Sequence, residues 1–255
     1  KRFSLKNKTA VVTGGNGFFG KQICESLILN GCNVISLDIK IENKLSKKSY
    51  SQYLCDITKE KEVNEINKTI IKKFKKIDIL VNNAALDFKP RKNSKSEFFD
   101  KFDLKKWNDE ISVGLTGSFL CSKYFIKSMI KNKKGIILNI ASDLSIIAPD
   151  QRIYSHLKSH KPVSYSVIKH GIVGLTKYLA ATYANKNIRV NSISPGGIEQ
   201  KNLNKEFKKK LKNLIPLNRM AKDGEYIETI QFLCSDASSY ITGQNIVLDG
   251  GRSII

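Results

Sequence analysis

The chain alternates short apolar runs with amphipathic stretches along most of its length. The runs TAVVT (9–13), NVISLD (33–38) and YLCDI (53–57) predict buried strands, because each is apolar, short and bounded by polar or glycine-containing sequence. The same pattern predicts further strands at 77–85, 135–142, 188–194 and 246–250. Strands that alternate with helices form a parallel sheet whose two faces are covered. The pattern therefore predicts an α/β fold.

Amphipathic segments lie between these strands. The segment 63–74 has apolar residues at the helical period, and further helices are predicted around 104–131 and over 164–184. The segment 202–215 has the same period, with a lysine-rich outer face. No internal repeat, linker or run of about 18 apolar residues interrupts the series. We expect one domain spanning 1–255, without a transmembrane helix.

Composition narrows the class of protein further. The 255 residues are 41% hydrophobic, which is enough for a large core. The net charge is +21, and a basic balance can indicate nucleic acid, an anionic membrane or an acidic substrate. The excess is mostly lysine spread along the whole chain, with abundant Asn and Ile, which favours AT-rich codon usage as its cause. We therefore expect neither a nucleic-acid nor a membrane partner.

The cysteines and the first residues both indicate the cytoplasm. Five cysteines are scattered, odd in number and without C-x-x-C pairing: Cys24, Cys32, Cys55, Cys121 and Cys234. This favours buried free thiols in a reducing compartment. The first residues also lack the apolar region and cleavage site of a signal peptide.

A glycine-rich loop follows the first strand, in TGGNGFFG (13–20). Gly15, Gly17 and Gly20 form a G-x-G-x-x-G pattern, which allows a tight turn and close approach of a pyrophosphate to the N-terminus of the next helix. Asp38 ends the second strand, where a carboxylate accepts hydrogen bonds from the adenosine ribose and repels a 2′-phosphate. The pattern predicts a dinucleotide site that prefers NAD over NADP.

Two tyrosine–lysine pairs share the spacing Y-x-x-x-K, namely Tyr154 with Lys158 and Tyr165 with Lys169. In a helix either pair projects from one face, and an ammonium group beside a tyrosine favours its phenolate. A helical period follows Lys169, whereas Pro162 disfavours a helix that continues from Tyr154. This context favours Tyr165 as the acid/base group.

A series of motifs resembles the compact short-chain dehydrogenase/reductase family, from about residue 5 to 251. The motifs stand in the family's order: TGGNGFFG (13–20), CDIT (55–58), VNNAA (81–85), NIAS (139–142), YSVIK (165–169), IRVNSISPGGI (188–198) and YITGQNIVLDGG (240–251). The resemblance implies a doubly wound Rossmann-type domain with a seven-stranded parallel sheet. It also implies NAD-dependent oxidoreductase activity and a homo-oligomer, a dimer or tetramer.

The same resemblance implies roles for individual residues. Ser142, Tyr165 and Lys169 match the catalytic serine, tyrosine and lysine. Asp56 matches an adenine contact and Asn83 a ribose contact, and 195–198 matches the loop that holds the nicotinamide. The implied cofactor-binding residues are Gly14, Asn16, Gly17, Phe18, Phe19, Gly20, Asp38, Asp56, Ile57, Asn83, Tyr165, Lys169, Pro195, Gly196 and Ile198.

Two features depart from the compact family pattern. The spacing of Gly14, Gly17 and Gly20 is G-x-x-G-x-x-G, which resembles the longer relatives that act on nucleotide sugars. Gly114, in SVGLTG (112–117), stands where the family has a fourth catalytic residue, an asparagine. A glycine there keeps a backbone carbonyl that can hold a water, and it permits a helix kink.

A basic insertion, DQRIYSHLKSHKP (150–162), joins the strand of Ser142 to the helix of Tyr165, and we expect it at the mouth of the site. Arg152, Lys158 and Lys161 are its candidate contacts to an anionic substrate, and a solvated surface loop is the alternative interpretation. His156 and His160 have metal-like spacing but no evident third ligand, so no metal is expected. A substrate lid is expected over about 197–222. Arg91 and Lys92 are expected near the same mouth.

Together these features predict an NAD-dependent alcohol/ketone oxidoreductase. The insertion and glycine loop favour an anionic sugar or nucleotide sugar as substrate, in bacterial surface-polysaccharide synthesis. A 3-oxoacyl-carrier-protein reductase is the alternative enzyme, since an acidic carrier suits a basic surface, although such reductases generally use NADPH. The alternative of another class is an inactive cofactor-binding regulator or a nucleic-acid-binding protein.

Overall fold

The computed structural model describes residues 2–42, 48–86 and 97–255. Within them, seven parallel strands form one sheet in the order β3-β2-β1-β4-β5-β6-β7. The strands are β1 Thr9–Thr13, β2 Asn33–Asp38, β3 Tyr50–Leu54, β4 Ile79–Asn82, β5 Gly135–Ile140, β6 Ile188–Pro195 and β7 Asn245–Leu248. The α-helices of the described residues are α1 Phe18–Leu29, α2 Glu60–Phe74, α3 Leu104–Ile111, α4 Gly117–Lys131, α5 Val163–Tyr183, α6 Lys205–Lys212 and α7 Ile227–Cys234. The prediction of a Rossmann-type α/β domain with a seven-stranded parallel sheet is confirmed.

Helices cover both faces of the sheet, which explains why its central strands are apolar throughout. Successive residues of a strand point to opposite faces. Val11 and Leu80 pack on one face with Phe125 of α4, whereas Val12 packs on the other face with Leu27 of α1. Burying a side chain of this size contributes roughly 1.5–3 kcal/mol. The two cores hold the carboxyl edge of the sheet in place from both sides.

The strand order reverses beside β1. The chain runs outward from β1 to β2 and β3, and then returns to place β4 on the other side of β1. Ligands of such sheets bind at the carboxyl edge next to this reversal, because the loops on either side diverge there. The glycine loop follows β1, and the loop that carries Asn83 follows β4.

Several predicted element boundaries differ from the structure. β3, Tyr50–Leu54, lies three residues before the predicted strand 53–57. Its limits are set by its pairing with β2, which ends at Leu54, an exposed residue. The predicted helix around 104–131 is interrupted by a π-helical segment, Ser112–Thr116, centred on Gly114. At Gly114 the helix is locally widened to a π-helical turn.

The lid region and the C-terminal region also differ from the prediction. α6 is shorter than the predicted helix 202–215, because the side chain of Asn204 accepts hydrogen bonds from the amides of Glu206 and Phe207 and so begins the helix there. α7 was not among the predicted helices. Its buried Ile230, Leu233 and Cys234 nevertheless have helical spacing.

Other properties of the described residues bear on the protein's class. All five cysteines are free and buried, as predicted. Burial raises the pKa of the Cys24 thiol to about 12, so the thiol remains protonated near neutral pH. No helix in the described ranges is long and apolar enough to cross a membrane.

Candidate active site

The glycine loop forms a close turn in which Gly14 and Gly20 have no room for a side chain. Gly14 has a φ of +63°, and a Cβ there would lie 2.8 Å from Cα of Ala84. A Cβ on Gly20 would lie 2.0 Å from the carbonyl oxygen of Gly14. Gly17 caps α1, which begins at Phe18 and directs its N-terminal amides toward the loop. This cradle and helix terminus fit a dinucleotide pyrophosphate.

Two neighbouring loops hold this turn in place. Nδ2 of Asn83 donates hydrogen bonds to the carbonyl oxygens of Thr13 and Gly14, at 3.0 and 3.1 Å. Oδ2 of Asp38 accepts a hydrogen bond from the amide of Asn16 at 3.0 Å. Asp38 therefore lies at the end of β2 beside the glycine loop, with its carboxylate partly exposed. A carboxylate in this place suits a ribose diol and opposes a 2′-phosphate.

The remaining predicted cofactor residues surround the same edge. Phe18 is half-exposed, and Phe19 packs edge-on against Tyr226 with ring centroids 5.8 Å apart. The carboxylate of Asp56 is hydrogen-bonded within its own turn, where Oδ1 accepts hydrogen bonds from the amide and the hydroxyl of Thr58. Ile57 is buried against Gly117, where a Cβ would lie 2.6 Å from its Cδ1.

The loop after β6 joins the sheet edge to the region predicted as the lid. Pro195 ends β6, and the amide of Gly196 donates a hydrogen bond to the carbonyl of Leu248 at 2.9 Å. Ile198 pairs with Ala221 in an isolated bridge. A Cβ on Gly197 would lie 2.6 Å from Leu211 of α6, so that glycine allows α6 to approach the loop closely.

Ser142 follows β5 and is buried at the same edge. Its Oγ donates a hydrogen bond to Oδ1 of Asp143 at 2.9 Å and accepts one from the amide of Leu144 at 3.2 Å. Oδ2 of Asp143 in turn accepts a hydrogen bond from Nη1 of Arg252 at 2.7 Å, and both side chains are buried. This ion pair ties the C-terminal segment to the loop of Ser142, and nothing in the sequence indicated it.

Lys169 lies on α5 one turn after Tyr165, and it is buried. Its Nζ donates a hydrogen bond to the carbonyl oxygen of Ile140 at 2.8 Å and lies 5.6 Å from the centroid of the Tyr165 ring. Burial lowers the pKa of Lys169 from 10.5 to about 8, because a low-dielectric environment disfavours the ammonium form. The structure thus brings Ser142, Tyr165 and Lys169 to one edge of the sheet.

The position of the family's asparagine is filled by another side chain. Gly114 is buried, and a Cβ there would lie only 2.7 Å from Cγ2 of Ile168. A cavity of about 20 Å³ remains beside Gly114, and its lining includes Glu110, Tyr165 and Lys169. That volume is enough for about one water molecule. Oε2 of Glu110 accepts a short hydrogen bond from the hydroxyl of Ser164.

The predicted insertion packs inward through its apolar residues. A 3₁₀ helix, Gln151–Leu157, buries Tyr154 against Phe207 of α6, with ring centroids 5.3 Å apart. Burial raises the pKa of Tyr154 well above its usual value. The sequence favoured Tyr165 over Tyr154 as the acid/base group. In the structure Tyr154 lies in a packed apolar cluster, whereas Tyr165 lines the small cavity at the edge of the site.

The three basic residues predicted for substrate binding lie in different places. The Arg152 side chain is 88% exposed, and its guanidinium forms a two-point pair with Asp150 at 2.9 and 2.8 Å. Lys158 is exposed and has a left-handed φ of +48°. Lys161 lies over Tyr165, with Nζ 3.6 Å from the ring centroid. Arg91 and Lys92 lie outside the described residues.

A second and larger cavity adjoins the insertion. It has a volume of about 270 Å³, and its lining includes Gln151, His160, Lys161 and Ser166. His160 stacks on Phe98 with ring centroids 4.1 Å apart, whereas Nε2 of His156 is hydrogen-bonded to Asn204 at 2.9 Å. Among the described residues, no three His, Cys, Asp or Glu side chains are grouped to hold a metal ion.

Comparison with known proteins agrees with this arrangement. A sequence profile described as enoyl-(acyl carrier protein) reductase matches residues 17–253. A 3-oxoacyl-[acyl-carrier-protein] reductase of Buchnera aphidicola subsp. Schizaphis graminum is 34% identical, over 97% of this chain and 98% of that protein. An NAD-dependent glycerol dehydrogenase of Listeria innocua is 34% identical, over 100% of this chain and 97% of that protein. A short chain dehydrogenase of Leptospira borgpetersenii, solved with bound NAD⁺, superposes with a TM-score of 0.88 at 34% identity, over 98% of this chain and 94% of that chain.

Proposed function

The chain belongs to the short-chain dehydrogenase/reductase family and is an oxidoreductase of CH–OH groups; from that premise we propose that it uses NAD to interconvert an alcohol and a ketone on an anionic sugar or nucleotide sugar. The observation that carries the proposal is the edge where Tyr165 lies beside two lysines, Lys161 and Lys169. We further propose that the enzyme works in the cytoplasm as a dimer or tetramer.

The proposed reaction assigns one task to each catalytic side chain. Tyr165 takes the hydroxyl proton of the substrate in oxidation and returns it in reduction, which is worth on the order of 10²–10⁴-fold. Lys169 favours the phenolate of Tyr165, and Ser142 orients the reacting oxygen. NAD, when bound, accepts or supplies the hydride. The cradle of Gly14 and Gly20 and the carboxylate of Asp38 support NAD as the cofactor.

The cofactor preference is tested at Asp38. We expect Asp38→Ala to weaken NAD binding and to relax the discrimination against NADP, because each hydrogen bond to a charged group is worth roughly 1.5–3 kcal/mol. Calorimetric titration of the parent and the variant with NAD and NADP measures both effects. If the parent already binds NADP more tightly than NAD, the interpretation of Asp38 is wrong.

The substrate class is tested with matched neutral and anionic compounds. Polyols and aldoses, with their phosphates and acids, are offered with NAD while the nicotinamide absorbance is followed. Arg152→Ala is expected to lower kcat/KM for an anionic substrate about tenfold, roughly 1.4 kcal/mol, mainly through KM. A neutral analogue should be unaffected. Arg152 is paired with Asp150, so its guanidinium must leave Asp150 or bind Asp150 and the substrate together. Equal losses on both substrates would indicate a structural role for Arg152.

A 3-oxoacyl-carrier-protein reductase is the second candidate. The similarity to the Buchnera reductase over nearly the full length of both chains supports it, as does the net charge of +21, which suits an acidic carrier. Turnover of an acyl-carrier substrate with NADPH, in preference to sugars with NAD, would establish this candidate instead. A protein without turnover whose nucleic-acid affinity falls steeply with salt would fit the regulator alternative.

A further inference from the structure

Lys161 occupies an unusual place beside the tyrosine that we propose as the acid/base group. Its Nζ lies 3.6 Å from the centroid of the Tyr165 ring, closer than Nζ of Lys169 at 5.6 Å. The contact comes from the insertion, two residues before α5 begins at Val163. The family relationship accounts for Lys169 but not for a second lysine on the same ring.

The backbone of Lys161 is clamped by one side chain. The amide of Lys161 donates a hydrogen bond to Oε1 of Gln151 at 2.8 Å, and Nε2 of Gln151 donates one to the carbonyl oxygen of Lys161 at 3.2 Å. Pro162 follows directly and restricts the main chain further. These constraints fix the point from which the Lys161 side chain extends toward Tyr165.

We propose that Lys161 is a positioning residue, a second cation held over Tyr165 by Gln151, which favours the phenolate form and so sets the pH range in which the enzyme works. The inference rests on the proposed role of Tyr165. A cation over an aromatic face is attracted by the negative potential of the ring face. The attraction increases when the phenol loses its proton, because an opposite charge within about 4–6 Å favours the ionised form.

Other charged and titratable groups lie in the same part of the site as Tyr165. Lys169 is buried, and burial lowers its pKa to about 8. Tyr154 interacts with Tyr165 across the insertion, and Glu110 of α3 lines the same small cavity. Asp143 is compensated by Arg252 at 2.7 Å. Lys161 is more exposed than Lys169.

The test is a titration of Tyr165 that requires no substrate. The ultraviolet absorbance of tyrosinate is followed with pH, and the curve of a Tyr165→Phe protein is subtracted to isolate Tyr165. We expect Lys161→Met to raise the midpoint by about one pH unit, Lys161→Arg to restore it, and Gln151→Leu to raise it by less. Lys127→Met is the matched control, because Lys127 lies 4.7 Å from the centroid of the ring of Tyr124, outside the site.

A second measurement separates this role from substrate binding. In alcohol oxidation with NAD, kcat/KM falls at acid pH as Tyr165 becomes protonated. In Lys161→Met this fall should move to higher pH together with the midpoint of the titration. One pH unit below the midpoint of the parent protein, kcat/KM should therefore be about tenfold lower in the variant. An unchanged midpoint in Lys161→Met, or an equal shift in Lys127→Met, overturns the proposal. So does a higher KM for anions with an unchanged pH profile. If no alcohol is turned over, the proposed function fails while the titration still decides the role of Lys161.

Discussion

The two sides of the candidate active site, one predicted to hold the cofactor and one formed by the insertion, are built in different ways. On the cofactor side, main-chain atoms approach so closely that Gly14 and Gly20 leave no space for a Cβ, and Asn83 is bonded to the carbonyls of the turn. On the insertion side, contact comes from side chains, as in the packing of Tyr154 on Phe207. Backbone contacts tolerate few residue types, whereas side-chain packing tolerates many of similar volume. The first side therefore suits a constant ligand, and the second suits a substrate that differs between relatives.

The charged side chains of the insertion side have different partners. Lys161 lies on Tyr165, whereas Arg152 is exposed and paired with Asp150. The apolar cluster beneath them joins the insertion to α6 and the segment after it; its buried members are Ile153, Tyr154, Phe207, Leu211, Ile215 and Met220. The insertion is therefore a packed element with a charged outer surface.

The largest expected effect separates the two tyrosines. Tyr165→Phe should lower kcat by about 10²–10⁴-fold, because the proton no longer has an acceptor, and should leave NAD affinity nearly unchanged. Tyr154→Phe should keep most of the activity, since the ring still packs on Phe207. Nicotinamide absorbance measures turnover, and calorimetry measures NAD binding. Near-normal activity in Tyr165→Phe would contradict the assignment.

The next effect tests the steric limit of the cofactor side. Gly20→Ala should weaken NAD binding by more than tenfold and lower the free energy of unfolding by about 1–3 kcal/mol, because the added Cβ would lie 2.0 Å from the carbonyl oxygen of Gly14, which is hydrogen-bonded to Asn83. Gly174→Ala is the control, because nothing lies within 4 Å of a Cβ there on α5. That control should stabilise the protein by roughly 0.5–1 kcal/mol. Chemical denaturation and NAD titration measure both; unchanged NAD affinity in Gly20→Ala would falsify the steric argument.

The smallest effect concerns the position of the family's asparagine. Gly114→Asn alone should lower the free energy of unfolding by about 1–3 kcal/mol, through overpacking against Ile168. Combining it with Ile168→Ala should cost less than the two single changes together, with a coupling of about 0.5–3 kcal/mol. Denaturant unfolding of the four proteins measures the coupling. If the losses in the free energy of unfolding of the two single variants simply add in the double variant, Ile168 is not what excludes a larger side chain at position 114.

Sequence reasoning was most successful where a residue's role depends on its neighbours in the chain. Periodicity identified the seven strands, although the predicted strand 53–57 is found at Tyr50–Leu54. β3 lies at the edge of the sheet, where one neighbouring strand sets its limits and its burial pattern is weak. α7 was missed because its eight residues make only about two turns, which is too short a segment for the helical period to stand out.

Parts of the site depend on contacts between distant residues, and these were not visible in one sequence. The ion pair of Asp143 with Arg252 joins residues from separate elements, and so does the contact of Ile168 with Gly114. The sequence indicated that Gly114 is unusual but could not show what fills the space. It likewise grouped Arg152 with Lys161, whereas in the structure Lys161 lies over the Tyr165 ring and Arg152 is paired with Asp150.

The sequence by itself determined the fold class, the glycine turn and the order of the family's motifs. Each of these follows from spacing along the chain, because helices, strands and turns form from residues close in sequence. Only the tertiary structure decided which cation lies on Tyr165, what replaces the asparagine side chain, and how the serine loop is anchored. Those outcomes depend on packing between elements, where a shift of one side chain changes which atoms meet.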